Sequence, residues 1–239
     1  MSARIINISG TDTGVGKTTV AAGLAAALSA RGHRVGVLKP AETGCLPGAD
    51  GQLVPADARR LAFFSDCRTS EATICPYRYA EPLAPRMAAE RAGRPISIEA
   101  ILSACDNLRA EHDVVLVEGA GGLLVPLCGG FTYADLCGRL DARLLVVVGN
   151  KLGAINHALL TMRYAQITGL TVAGYVVNAL GPAADLAAAT NLALLAELLG
   201  APLGVVPWLG QISETAADRV RLASIFDACV DLSFVTAER

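Results

Sequence analysis

Short runs of apolar residues alternate with longer amphipathic segments along the whole chain. In several runs every position is apolar, which is typical of a parallel strand covered on both faces. This alternation predicts an α/β fold, a doubly wound and mostly parallel sheet with helices on both faces. The apolar runs predict strands at Ile5–Ser9, Val35–Leu38, Val114–Val117, Leu144–Val148, Val172–Asn178 and Gly204–Val206. The amphipathic segments predict helices at Thr18–Ala30, Arg59–Phe64, Ile98–Arg109, Ile155–Ile167, Ala184–Leu199 and Ala216–Cys229.

The organisation of the chain is simple. No repeat or low-complexity linker divides the 239 residues, so we expect one domain spanning residues 1–239. The segment Cys45–Gly93 is the least regular part and is rich in proline and polar residues. We expect it to form loops over the carboxyl edge of the sheet, where open α/β folds bind their ligands.

Composition and charge narrow the classes of function. Hydrophobic residues make up 53% of the chain, charged residues 18%, and the formal net charge is -2. This balance gives no electrostatic reason to expect nucleic acid or an anionic membrane as a partner. No apolar run is long enough to cross a bilayer and no signal-peptide pattern is present, so we expect a cytoplasmic protein. The seven cysteines form no C-x-x-C pair and are interpreted as reduced thiols, and the three histidines lack metal-ligand spacing.

A glycine-rich loop lies between the first predicted strand and the first predicted helix. The segment Gly10–Thr18 ends in Gly-Lys-Thr, which in this context is typical of a P-loop. Backbone N–H groups of such a loop surround phosphate oxygens, the lysine contacts the β- and γ-phosphates, and the hydroxyl binds Mg²⁺. The predicted nucleotide-binding residues of the loop are Thr13, Gly14, Val15, Gly16, Lys17, Thr18 and Thr19.

The loop departs from the strict G-x-x-x-x-G-K-[ST] pattern at its start. That pattern requires glycine at position 11, whereas this chain has Thr11 preceded by Gly10. The dinucleotide pattern G-x-G-x-x-G is absent because Thr19 replaces its third glycine. The sequence therefore favours a nucleoside triphosphate over NAD.

Three charged residues near strand ends are candidates for the chemistry. Lys39 follows a predicted strand and would emerge beside the P-loop strand if the two strands are neighbours. Glu118 follows four apolar residues, the Walker-B pattern that holds Mg²⁺. Asp57 is compatible with two roles, the N-cap of the following helix or a second Mg²⁺ carboxylate. Asn156 is likewise compatible with an N-cap or with a helix terminus that binds a carboxylate.

Five segments occur together in a specific order. Together they closely resemble the dethiobiotin synthetase family of biotin biosynthesis, and the similarity extends to about Thr215. The segments are Gly10–Thr18, Lys39-Pro40, Val117–Gly122, Lys151–Ala158 and Val206–Leu209.

The resemblance implies an ATP- and Mg²⁺-dependent cyclo-ligase that acts as a homodimer. Members of the family join CO₂ to 7,8-diaminopelargonic acid and form dethiobiotin, ADP and phosphate. In that scheme a substrate amine takes up CO₂ as a carbamate, the carbamate attacks the γ-phosphate, and the second amine closes the ring. The expected partners are therefore the diamine, CO₂ or bicarbonate, and ATP. Such a reaction requires cations that gather negative groups and does not require a protein nucleophile.

Matching the motifs residue by residue assigns expected roles. Lys39 resembles the catalytic lysine at the carbamate, and Lys17 connects it to the phosphates. The expected magnesium residues are Thr18, Asp57 and Glu118. Further nucleotide-binding residues implied by the resemblance are Gly119, Ala120, Gly121, Asn178, Ala179, Pro207, Trp208, Leu209 and Glu214. The expected substrate residues are Thr43 and, from the partner subunit in the dimer, Gly153, Ala154 and Asn156.

Two departures and two rival functions remain. Gly14 replaces a glutamate of some relatives, and Arg86 replaces a histidine, so Arg86 is given no role. One rival is a cobyrinate-type amidating enzyme, which is not expected to combine the Lys39-Pro40 and Lys151–Ala158 segments. The other is a partitioning or positioning ATPase, which usually carries a second loop lysine where this chain has Asp12.

Overall fold

A computed structural model describes residues 3–183 and 185–236 of the chain. The strands are β1 (Arg4–Gly10), β2 (Val35–Leu38), β3 (Ala41–Thr43), β4 (Leu46–Pro47), β5 (Leu53–Val54), β6 (Tyr77–Tyr79), β7 (Val114–Glu118), β8 (Pro126–Cys128), β9 (Phe131–Thr132), β10 (Arg143–Asn150), β11 (Val172–Ala179) and β12 (Gly204–Val206). The helices are α1 (Lys17–Ala30), α2 (Ala56–Ser65), α3 (Glu71–Ile74), α4 (Pro85–Arg91), α5 (Ile98–Glu111), α6 (Tyr133–Arg139), α7 (Ala154–Ile167), α8 (Leu186–Leu199), α9 (Ala216–Cys229) and α10 (Ser233–Thr236).

The central sheet contains six strands in the order β12-β11-β10-β1-β7-β2, and every neighbouring pair is parallel. These are the six strands predicted from the apolar runs, and the α/β, mostly parallel fold class is confirmed. The strand β7 lies between β1 and β2, so the condition under which Lys39 would emerge directly beside the P-loop strand is not met. The register explains what happens instead. Leu38 pairs with Val117, which places Lys39 and Glu118 side by side at the carboxyl edge.

The sheet is covered on both faces, as the continuous apolar runs predict. Successive residues of β1 enter different cores, with Ile5 on one face and Ile6 on the other. One core joins the sheet to α1, α2 and α9, and the other joins it to α5, α6, α7 and α8. Because the strands are buried on both sides, the sheet is a rigid support for the loops at its carboxyl edge.

The segment Cys45–Gly93 is more regular than predicted. It contains three short helices and several short strands, because its few apolar side chains pack against the two cores. Helix α2 begins at Ala56, three residues earlier than the predicted Arg59. Helix α8 begins at Leu186, whereas Ala184, the predicted start, lies outside the described residues.

Two general expectations concern the membrane and the thiols. None of the helices within residues 3–183 and 185–236 is long and apolar enough to cross a bilayer. All seven cysteines are free, and four of them are buried. Burial raises the pKa of Cys45 to about 11 and the pKa values of Cys105 and Cys137 to about 12, which is the behaviour of inert thiols inside a core.

Candidate nucleotide and substrate site

The P-loop connects β1 to α1 at the carboxyl edge of the sheet. Gly16 adopts φ 89° at the N-cap of α1, and no side chain caps this terminus in the described structure. A Cβ at Gly16 would lie 2.2 Å from Nδ2 of Asn178, so the position requires glycine for its backbone and for its packing. The loop therefore presents an uncapped helix amino terminus, which favours an anion such as a phosphate group.

The packing of the loop also requires a glycine at position 10. A Cβ at Gly10 would lie 3.0 Å from Nζ of Lys17 and 2.8 Å from the carbonyl oxygen of Asp12. The Lys17 ammonium folds back over the loop and donates a hydrogen bond to that carbonyl over 3.1 Å. A glycine at the end of β1 thus leaves room for the Lys17 side chain.

Lys39 forms the centre of an ion network next to the loop. Its Nζ donates to Oε1 of Glu118 over 2.6 Å and to Oδ2 of Asp57 over 2.8 Å. The hydroxyl of Thr18 donates to the same Glu118 oxygen over 2.8 Å. Lys39 is 3% exposed and Glu118 is fully buried, whereas the Asp57 side chain is 42% exposed. Residues of four separate elements therefore meet in one partly enclosed network.

The charges of this network shift the pKa values of its members. Burial acts to lower the pKa of Lys39, but the Glu118 and Asp57 carboxylates outweigh it and raise that pKa, so Lys39 is a permanent cation. Burial acts to raise the pKa of Asp57, but the charge and hydrogen bond of Lys39 lower it. For Lys17, burial lowers the pKa, Glu118 opposes that effect, and the positive charge of Lys39 adds to it. The ammonium groups of Lys17 and Lys39 therefore share one site with the Asp57 and Glu118 carboxylates.

The network and the loop line one cavity of about 340 Å³. Of the predicted site residues, the cavity brings together Thr13, Gly14, Gly16, Lys17, Thr18, Thr19, Lys39, Thr43, Asp57, Glu118, Ala120 and Gly121. It also contains Ala41 and Glu42, which the sequence analysis did not select. The cavity has the size and the charged lining expected of a site for polar ligands.

Some predicted residues support the cavity from outside its wall. Val15 is fully buried beneath the loop, and Gly119 packs against the ring of Tyr133. Asn178 is also buried, and its Nδ2 donates to the Val15 carbonyl over 3.0 Å. In this structure Asn178 therefore holds the loop from below.

The remaining residues that the resemblance implies for the nucleotide lie at the end of β11 and in the segment after β12. Asn178 pairs in register with Val206, which brings the segment after β12 close to the loop. Along that segment Leu209 is buried, Trp208 is 49% exposed, and Pro207 and Glu214 are exposed. Ala179 is partly buried at the end of β11. None of these residues lines the cavity.

The three residues predicted for the partner subunit lie outside the cavity as well. Gly153 is the N-cap of α7 with φ 88°, and no side chain caps this helix in the described residues. Ala154 is buried and Asn156 is exposed. Of the two roles left open for Asn156, the N-cap is wrong, because Asn156 is the third helical residue.

Asp57 does not cap its helix either. Pro55 is the N-cap of α2 and offers no side-chain hydrogen bond, and Asp57 is the second helical residue. Of the two roles left open by the sequence, the N-cap is therefore wrong. The side chain of Asp57 faces Lys39 instead.

A magnesium ion fits the oxygen atoms gathered here. Oε2 of Glu118 is buried and accepts no hydrogen bond from any described residue. Such an unpaired carboxylate oxygen, together with the Thr18 hydroxyl and the Asp57 carboxylate, is the hard donor set that Mg²⁺ takes beside phosphates. No group of three histidine, cysteine, aspartate or glutamate side chains suited to a metal occurs in the described part of the chain. The protein offers only a few oxygen ligands here, so the site suits an ion that takes its remaining ligands from water and phosphate.

Comparison with known proteins identifies the family of the chain. A family model described as an AAA domain matches residues 4–216. The ATP-dependent dethiobiotin synthetase BioD of Anaeromyxobacter sp. (strain K) is 43% identical over 210 residues, which cover 87% of this chain and 92% of that enzyme. BioD 1 of Escherichia coli (strain K12) is 39% identical over 211 residues, with coverages of 88% and 93%. The chain belongs to the dethiobiotin synthetase family.

Solved structures show the same fold at low identity. The MinC:MinD cell division protein complex of Aquifex aeolicus matches with a TM-score of 0.54 and 16% identity, covering 92% of this chain and 86% of that chain. A ParA family ATPase from Chlorobium tepidum TLS matches with a TM-score of 0.53 and 15% identity, covering 98% and 97%. These neighbours share the P-loop architecture. Membership of the dethiobiotin synthetase family, and not this likeness, separates the chain from the positioning ATPases.

Two charged contacts of this family member were missed by the sequence analysis. Lys151 donates to Oδ2 of Asp12 over 2.9 Å and so connects the loop after β10 to the P-loop. Glu42 is buried in the cavity wall and accepts hydrogen bonds from two backbone N–H groups of α2. Both contacts join residues far apart in sequence, and no local pattern in the chain indicates them.

Proposed function

We propose that this chain catalyses the ATP- and Mg²⁺-dependent carboxylation and ring closure of 7,8-diaminopelargonic acid, forming dethiobiotin, ADP and phosphate. The observation that carries the proposal is the buried Lys39, held by two carboxylates beside a P-loop in a member of the dethiobiotin synthetase family. A permanent cation at this point suits a reaction in which an anion attacks a phosphate.

The P-loop would bind the triphosphate. The backbone of residues 13–16 and the amino terminus of α1 offer N–H groups to phosphate oxygens, and Lys17 offers its ammonium. Asn178, Pro207, Trp208 and Leu209 would contact the adenine, with Glu214 a further contact. Gly119, Ala120 and Gly121 would border the phosphates on the side of β7.

Thr18, Asp57 and Glu118 would hold the magnesium ion. When bound, the ion neutralises part of the charge on the β- and γ-phosphates. The Asp57 and Glu118 carboxylates also have a role toward Lys39, because they hold the ammonium in place. A fixed ammonium requires little reorganisation as charge develops during the reaction.

The proposed chemistry has three balanced steps. An unprotonated substrate amine adds to CO₂ and releases a proton, which gives a carbamate anion. A carbamate oxygen attacks the γ-phosphorus of ATP, the bond to the ADP oxygen breaks, and a carbamic–phosphoric anhydride results. The second amine attacks the carbonyl carbon and gives up one proton to solvent, phosphate leaves with the C–O electron pair, and the ureido ring closes. Lys39 and Lys17 would act by holding the carbamate and the γ-phosphate together, since both reacting groups are anions.

Substrate recognition would involve Thr43 and a second copy of the chain. Thr43 lies in the cavity wall, four residues after Lys39. In a homodimer, Gly153, Ala154 and Asn156 of one subunit would bind the substrate carboxylate at the site of the other. The uncapped amino terminus of α7 supports this role, because its N–H groups favour an anion.

Phosphate release measured with the purified chain tests the proposed function. With Mg²⁺ and ATP, phosphate should appear only when both the diamine and bicarbonate are present, and labelled bicarbonate should enter dethiobiotin. Lys39→Ala should abolish product formation, whereas Arg91→Gln should retain it because Arg91 is an exposed cation paired with Glu81. ATP turnover that needs no diamine and is unchanged in Lys39→Ala would refute the proposal and favour a switch ATPase.

A further inference from the structure

Glu42 has an unusual position for a charged side chain. It is 6% exposed, it lines the candidate site, and no ammonium or guanidinium group within the described residues forms an ion pair with it. Burial, and to a lesser extent the nearby charge of Asp57, raise the pKa of Glu42. A carboxylate kept in such an environment must be compensated by hydrogen bonds.

The compensation comes from the amino terminus of α2. Oε1 of Glu42 accepts the backbone N–H of Asp57 over 2.9 Å, and Oε2 accepts the backbone N–H of Ala58 over 3.1 Å. These are the second and third residues of the helix, whose N–H groups have no partner within it. Pro55 stands at the N-cap and has no side-chain acceptor, so Glu42 supplies the missing cap from another element.

The cap connects two parts of the candidate site. Glu42 lies on β3, between Ala41 and the predicted substrate residue Thr43, and three residues after Lys39. The backbone N–H of Asp57 donates to Glu42, and the side-chain carboxylate of Asp57 accepts a hydrogen bond from Lys39. The contacts form a closed ring, from Lys39 along the chain to Glu42, across to the α2 terminus, and back through Asp57.

We propose that Glu42 is a positioning residue of the active site, which fixes the amino terminus of α2 so that the Asp57 carboxylate faces the magnesium ion and Lys39. The inference rests on the proposed function, in which Asp57 binds the metal. Two bonds to adjacent N–H groups fix the direction of the helix end as well as its distance, which one bond would not do. Partners of this kind behind a metal ligand typically change metal affinity or activity by about 10–100-fold when they are removed.

Two substitutions of Glu42 and one matched control test this role. Glu42→Ala removes both acceptors, while Glu42→Gln keeps the size and one acceptor and is the variant that protects the test against a folding defect. Glu71→Gln is the control, because Glu71 also anchors α2 by pairing with Arg59 but does not contact its amino terminus. All three are compared in thermal unfolding, so that metal binding is measured only on folded protein.

The decisive measurement is the binding of Mn²⁺ with a non-hydrolysable ATP analogue, followed by electron paramagnetic resonance. Mn²⁺ takes the same oxygen ligands as Mg²⁺. We expect Glu42→Ala to weaken Mn²⁺ binding about tenfold or more, Glu42→Gln to weaken it by a smaller factor, and Glu71→Gln to leave it unchanged. Hydrogen exchange of the peptide covering residues 53–60 should be accelerated in both Glu42 variants and not in the control.

Two outcomes would overturn the inference. One is unchanged Mn²⁺ affinity in folded Glu42→Gln and Glu42→Ala. The other is a smaller fraction of folded protein in which the folded molecules bind Mn²⁺ with normal affinity, which would indicate a purely structural cap. Neither measurement uses the diamine, so a failure of the proposed reaction is recognised separately, by wild-type protein that binds Mn²⁺ and nucleotide normally but makes no product.

Discussion

Replacing Lys39 by methionine should destabilise the fold through the carboxylate that it leaves behind. Methionine keeps most of the apolar stem but removes the ammonium that neutralises Glu118. Glu118 is fully buried, and without Lys39 only the Thr18 hydroxyl donates to it among the described residues. Breaking a buried ion pair on one side costs about 3–5 kcal/mol, because a charge remains without its partner in a medium of low polarity.

The partner substitution should cost less. In Glu118→Gln, Lys39 retains Asp57, whose side chain is 42% exposed and in contact with water. We expect a loss of about 1–2 kcal/mol, the range for a hydrogen bond weakened from charged to neutral. The double variant Lys39→Met with Glu118→Gln contains no uncompensated buried charge. It should therefore be more stable than Lys39→Met alone, with a coupling of about 2–3 kcal/mol.

Urea unfolding followed by circular dichroism measures these differences directly. The experiment is performed with EDTA and without nucleotide, so that ligand binding does not contribute to stability. Equal m-values across the four proteins would show that the comparison concerns stability alone. For a chain of this length, the loss in Lys39→Met also corresponds to a melting temperature roughly 10 °C lower.

Two results would refute this reasoning. If Lys39→Met lost less than about 1 kcal/mol, Glu118 would not depend on the ammonium for its compensation. If the double variant were less stable than the wild type by the sum of the two single losses, the two side chains would be energetically independent despite their 2.6 Å contact. Under the proposed function all three variants should be inactive, although their stabilities are expected to differ. Activity and stability are therefore independent readouts in this experiment.

Three further predictions concern the loop, the pH dependence and the dimer. Gly16→Ala should weaken nucleotide binding, measured by calorimetry, because its Cβ would lie 2.2 Å from the Asn178 amide; unchanged affinity would contradict the packing argument. Lys39 lowers the pKa of Asp57 against the effect of burial, so the stabilisation by the Asp57 charge is present above the ordinary carboxyl pKa of about 4 and is lost as the pH falls. The difference in melting temperature between wild type and Asp57→Asn should therefore shrink below about pH 4, and a difference that widens there would contradict the sign. Mixing inactive Lys39→Ala with inactive Asn156→Asp should restore about a quarter of wild-type activity if each site uses two subunits, and none if it uses one.

The sequence was sufficient to predict the sheet because its strands are buried on both faces. A continuous apolar run such as Val114–Val117 marks a strand with little ambiguity when a polar residue ends it. The same runs also placed Lys39 and Glu118 at the carboxyl edge. Their mutual contact was not predictable, because it depends on β2 pairing with β7 and not with β1. Strand order is decided by packing across the whole sheet, and no short segment of sequence records it.

Asp57 shows why the remaining part of the site was not predictable. Judged from its neighbours alone, an aspartate before an apolar helix is a good N-cap, and this interpretation was wrong. The cap comes instead from Glu42, 15 residues earlier in the chain. Because the distant carboxylate occupies the N–H groups of the helix, the side chain of Asp57 is released to face Lys39. A substitution of Glu42 would leave these N–H groups without their acceptor, and the Asp57 carboxylate would then be drawn toward them and away from Lys39. In the wild-type chain Glu42 caps the helix, and Asp57 pairs with Lys39.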